Sequence, residues 1–110
     1  MTTENIQNLK DTALLMHNIA VEKQNALEKM RSNQTLVYDN HIFKADQQTI
    51  SLTHCLLQNN KNGIIYILDV NNNPCKITNC KDFFDKLIEK NQQSINDLHQ
   101  FYERFKKKLK

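Results

Sequence analysis

The side chains in this chain that could do chemistry are few: His54, Cys55, Cys75 and Cys80. Thiols with an imidazole suggest zinc, but zinc-finger and ribbon sites place paired ligands two to four residues apart, and these four are not so spaced. A cysteine with a histidine also suggests a nucleophile and its base. No Gly-rich oxyanion turn and no third orienting group accompanies them, and a free cysteine is ordinarily a small buried apolar residue. Asp82 and Asp85 form an acid pair, but they fall in the first turn of a helix, where capping and dipole compensation account for them. Gly63 is the only glycine, so no phosphate-cradling loop can be built. The expectation is no catalytic residue, no metal and no cofactor.

The remaining chemistry is basic. Arg104, Lys106, Lys107 and Lys108 cluster near the end with Phe101, Tyr102 and Phe105, the outline of a nucleic-acid patch. The aromatics, however, belong to a helical seam, and lysines at a helix C-terminus answer the helix dipole. Nucleic acid is therefore not the expected partner, and these four basic residues are retained only as candidate contacts.

The elements that position these residues are legible. From Glu4 to Arg31 no Gly or Pro interrupts the chain. Ile6, Leu9, Ala13, Met16, Ala20, Lys23, Leu27 and Met30 recur three and four apart, a heptad-like seam with one polar member, Lys23. Thr2 or Thr3 suits the cap, and the helix would be roughly 40 Å long. Residues 35–78 read as hairpin, helix, hairpin. Asp39-Asn40 and Asn71-Asn72-Asn73 suit tight turns because Asn and Asp tolerate positive φ. Asp46 looks like the N-cap of a short helix to about Leu57, carrying Ile50, His54 and Leu57 on one side, and residues 59–63 end it. The run Ile64–Leu68 is nearly all apolar, which predicts a strand that is covered on both faces or central. Thr78 is the expected cap of a last helix over 79–108. Phe84, Ile88, Asn91, Ile95, Leu98, Tyr102, Phe105 and Leu109 form its seam, and Asn91, its polar member, is the type of residue that fixes register between helices. The fold class expected is α+β, a single domain over 1–110: a long helix 4–31, two hairpins forming a small antiparallel sheet with a short helix, and a second long helix. The long helices exceed what so small a sheet can cover, so they pair with each other or with another chain.

Bulk properties narrow the class. The chain has 110 residues, one Pro, three cysteines and a net charge of +3, with a mean hydropathy of −0.67. That allows one domain with a modest core. An odd number of cysteines with no C-x-x-C reads as reduced thiols. No run is apolar enough to span a bilayer, and Met1–Asn5 lacks a signal-peptide pattern. The expected location is the compartment of synthesis.

The order of motifs resembles a known family. Tyr38-Asp39-Asn40-His41-Ile42-Phe43-Lys44-Ala45-Asp46, a short helix, Tyr66 to Thr78, and Phe83-Phe84 on a long helix together resemble a small domain of unknown function from tailed-bacteriophage and prophage tail-fibre and tail-assembly proteins. The resemblance covers residues 31–110. Asn40 stands where glycine is usual and Tyr66 where tryptophan is common. It implies a phage or prophage origin, a protein-binding role and no transferable catalytic residues. The leading expectation is a non-enzymatic tail-associated protein that binds itself or another phage or host protein through Phe84, Ile88, Asn91, Ile95, Leu98, Tyr102 and Phe105. It would act in the bacterial cytoplasm and be assembled into a virion. The alternative is a small phage-encoded inhibitor of a host defence nuclease of the CRISPR type, acting by occlusion; the net basic charge counts against it, since such inhibitors present an acidic face.

Overall fold

The computed structural model describes the backbone of residues 3–108 and the side chains of residues 7–107. The expected contributions of Thr2, Ile6, Leu109 and the Lys108 side chain fall outside those bounds. The order is α1 (Thr3–Asn33), β1 (Thr35–Tyr38), β2 (His41–Lys44), α2 (Gln47–Asn59), β3 (Ile65–Leu68), β4 (Pro74–Ile77) and α3 (Cys80–Lys108). The fold is α+β, with two long helices flanking two antiparallel hairpins.

Turn chemistry sets the hairpins. Asp39 and Asn40 take φ of 50° and 65°, the paired left-handed residues that a two-residue hairpin turn needs. They set Val37 opposite Ile42 and Tyr38 opposite His41. Asn72, at φ 62°, serves the second turn, and Ile65 pairs with Ile77. The hairpins remain separate two-stranded sheets. One backbone hydrogen bond, Val70 N–H to Ile42 C=O at 2.9 Å, joins them.

Two local expectations, for β3 and for the cap of α3, are corrected. β3 is not covered on both faces: Ile65 and Ile67 are buried, while Tyr66 and Leu68 are 68% and 58% exposed. A hairpin with helices on one side offers only one face to the core, whatever its composition. The cap of α3 is Asn79, not Thr78, because Asn79 Oδ1 accepts the Asp82 N–H at 3.1 Å. On α2 the buried residue is Thr53, whose hydroxyl donates to the Thr49 carbonyl; Ile50, Leu56 and Leu57 pack partly against the core. Asp46 does cap α2, accepting the Thr49 N–H at 2.9 Å.

The core is where both hairpins meet the first half of α3. Leu36, Phe43, Ala45, Ile65, Ile67, Cys75, Ile77, Cys80, Phe83 and Leu87 form one cluster. Phe43 and Phe83 meet edge to face at 4.9 Å, and Tyr38 adds a third ring 5.1 Å from Phe83. The core occupies one end only. The molecule measures 74 × 26 × 22 Å with a radius of gyration of 20.9 Å, against about 13 Å for a compact chain of this size. The rest of the length is helical arm.

That arm joins the head with little slack. Gln34 alone separates α1 from β1; its N–H donates to the Met30 and Arg31 carbonyls, and its carbonyl accepts the Ala45 N–H at 2.9 Å. Asn91 Nδ2 donates to the Ala45 carbonyl at 2.9 Å from the other side. The two helices run antiparallel: Met30 and Ser94 line one cleft near the head, and Lys23 Nζ lies 6.0 Å from the Tyr102 ring centroid further out.

Candidate functional site

Two features qualify as sites: the helical arm and the junction between the hairpins.

On the arm, the buried stripe of α3 is rotated from the one read off the sequence. It runs through Phe83, Leu87, Asn91, Ser94 and Phe105, all buried. Ser94 is polar, so hydropathy alone favours its neighbour Ile95 and with it the stripe that starts at Phe84, which shares Asn91 and Phe105 with the buried one. Of the seven interface candidates, Asn91 is committed within the chain to Ala45, which corrects its expected role as a register device between helices. Phe105 is 8% exposed and stacks on Phe101 at 5.8 Å. Leu98 lines the cleft to α1, Phe84 is half-buried 5.5 Å from His54, and Tyr102 is half-buried beside Lys23. Ile88 and Ile95 lie on the outer flank, 36% and 43% exposed. Lys23, the polar member of the α1 seam, sits opposite an aromatic ring, where a cation is favourable.

Between the arms is a cleft of about 710 Å³. Ala26, Met30, Leu98 and Phe101 supply its apolar lining, and Glu22, Lys29, Asp97 and Arg104 are among its charged residues. Of the basic cluster, Arg104 thus belongs to this cleft, Lys106 pairs with Glu103 at 3.5 Å, and Lys107 is exposed.

Beyond the cleft the described side chains of α1 are exposed, save half-buried Ile19. Leu9 and Met16, which continue the Leu27–Met30 stripe, are 57% and 63% exposed. Leu14, Leu15 and Val21 are exposed as well.

The junction was not foreseen. The Asp39-Asn40 turn starts β2 at His41. Asp69 follows β3 and organises the next turn: its Oδ1 accepts the N–H groups of Asn71 at 2.8 Å and Asn73 at 2.9 Å. Its Oδ2 accepts from His41 Nδ1 at 2.8 Å. Cys75 lies buried on β4, its thiol donating to the Asn73 carbonyl at 3.4 Å. One ligand atom from each of His41, Asp69 and Cys75 falls within 4.8 Å of the others, and among the described residues no other His, Cys, Asp or Glu trio does so. The Asn73 amide, then His41, hold the Asp69 carboxyl below the usual range against the opposing effect of burial. Burial, helped by the Asp69 charge, pushes the Cys75 thiol up. A protonated, buried thiol beside a carboxylate is the reverse of an activated nucleophile. Of the four residues singled out by sequence, only Cys75 takes part: Cys80 is buried against α2, and His54 and Cys55 are exposed.

A second polar contact joins β1 to α3. Tyr38 Oη donates to Asp82 Oδ2 at 3.0 Å, and Lys86 approaches the same oxygen at 3.3 Å. Burial, then this bond, raise the Tyr38 phenol to about 12, and Tyr38 with Lys86 lowers the Asp82 carboxyl.

No protein-family model, no curated protein and no solved structure matches this chain.

Proposed function

We propose that the protein is a non-enzymatic assembly protein that associates with a second copy of itself through the helical arm. The observation that carries this is the apolar stripe of α1, which packs on α3 near the head and continues outward through Leu9 and Met16, both more than half exposed among the described residues. Isolated exposed apolar residues need no explanation, but a seam that pairs over half its length and stays in register beyond is the pattern of helices that associate. Ile88 and Ile95 offer a second exposed apolar edge on the same arm. The hairpin head remains free to bind a different protein.

The motif order that resembles the phage tail domain supports placing this assembly in a phage or prophage tail module, formed in the bacterial cytoplasm and carried into a virion. Among the described residues no helix is long and apolar enough to cross a membrane.

Light scattering coupled to size exclusion tests the reading. A salt-resistant dimer or higher oligomer is expected, since the contact is apolar. A monomer at all concentrations overturns self-association and favours a protein that binds one partner through its head.

A further inference from the structure

The assembly reading leaves the hairpin junction unused. There, an imidazole, a carboxylate and a sulfur converge from β2, the β3–β4 turn and β4, separated in sequence by 28 residues between His41 and Asp69. Packing alone does not call for this set. A valine or alanine at position 75 would fill the strand face without placing a polarisable sulfur against a buried carboxylate. Two electron-rich groups held together away from water are an arrangement that a cation between them stabilises. The Asp69 side chain is 3% exposed and that of His41 35%, so the trio has a closed floor and an open mouth.

We propose that His41, Asp69 and Cys75 bind one borderline-soft divalent cation of the zinc class, with an outside ligand or water in the fourth position. The donor set is the one such ions select, in contrast to the all-oxygen sets of magnesium and calcium. Around a tetrahedral zinc, nitrogen and oxygen donors stand about 3.3 Å apart, and each stands about 3.5 Å from sulfur. The present His41–Asp69 separation of 2.8 Å opens by about half an ångström to admit the ion, a change that side-chain rotation supplies. Asp69 Oδ1 stays with the two turn amides, which orient the carboxylate as an outer shell does in established sites. The balance is simple. Cys75 gives up its thiol proton to solvent, the proton on His41 Nδ1 moves to Nε2, and Asp69 binds as the carboxylate it already is. Bound there, the ion bridges the two hairpins where one backbone hydrogen bond and the His41–Asp69 contact now do so.

Cobalt(II) is the probe. The full chain, freed of metal by chelation, is titrated with cobalt and followed by absorbance. The expected result is a thiolate-to-cobalt band in the near ultraviolet that saturates at one equivalent and is displaced by zinc. Cys55→Ser keeps the band; Cys75→Ala and His41→Gln lose it or weaken binding at least about 10-fold. Circular dichroism confirms that the variants are folded, and His41→Gln, at a part-exposed position, serves where Cys75→Ala does not fold. Zinc, and not magnesium, raises the melting temperature. Absence of the band in the unsubstituted chain, or a band that survives His41→Gln and disappears with Cys55→Ser, overturns the proposal.

Discussion

Replacing Leu9 and Met16 together by aspartate tests the arm directly. Both side chains are already more than half exposed, at 57% and 63%. The isolated chain therefore loses little by the change, and its melting temperature at high dilution should move by no more than a surface substitution does. In a dimer the remaining exposed area becomes covered. Full burial of such a side chain is worth about 1.5–3 kcal/mol, so the uncovered share is about 1–2 kcal/mol each. Two residues from each of two copies give about 4–8 kcal/mol, a loss of at least roughly 1,000-fold in the dimer constant before any cost of burying carboxylates. Sedimentation equilibrium across a wide concentration range reads that shift. The variant should be monomeric where the unsubstituted chain is associated, with the same far-ultraviolet dichroism per residue. An unchanged association constant would refute the assignment of α1 as the contact, and collapse of the fold would refute the claim that these residues are free in the single chain.

Asn91→Ala should reduce stability to urea by about 1–3 kcal/mol, because it strands the Ala45 carbonyl, and should leave the oligomer mass unchanged. A change of mass without a change of stability would return Asn91 to an intermolecular role. Asp46→Ala removes the cap of α2 and should cost about 1 kcal/mol by the same measurement. Tyr38 favours the folded state while its phenol keeps its proton. Its folded pKa lies near 12 against an ordinary 10.0, so its contribution is whole below about pH 10 and is lost as pH rises toward 12. Tyrosinate absorbance should show a late step near pH 12 that Tyr38→Phe removes, with a flatter loss of stability in alkali.

What sequence could disclose was whatever is local. Asp39, Asn40 and Asn72 mark turns because few residues tolerate positive φ, and they occupy it. Asp46 marks a helix start because an oxygen three residues before an amide can accept from it. Thr78 and Asn79 are adjacent capping residues equivalent by type, and it is the Asn79 side chain that accepts the Asp82 N–H. Ile64–Leu68 lacks alternation, so its pattern could not tell one covered face from two. The α3 stripe differs for another reason: Ser94 faces inward with its hydroxyl donating to the Asn91 carbonyl, while hydropathy favours the neighbouring Ile95, which is 43% exposed. His41, Asp69 and Cys75 were invisible as a group because each looks ordinary in its own turn or strand, and only the packing of one hairpin on the other unites them.

The single-residue link at Gln34 makes the molecule a lever. Its amide is held by the end of α1 and its carbonyl by Ala45, so the helix enters the strand with both sides of the joint occupied. Rotation of the head is then not absorbed by a flexible connection; it swings the far end of a body 74 Å long. A partner that grips the hairpins would in that way set the angle at which the arms meet their neighbour, and a stiff joint would carry torque from one contact to the other. Inserting a short Gly-Ser spacer after Gln34 would free α1 from the head, leaving α3, which runs unbroken from the head core into the arm, as the one rigid connection among the described residues.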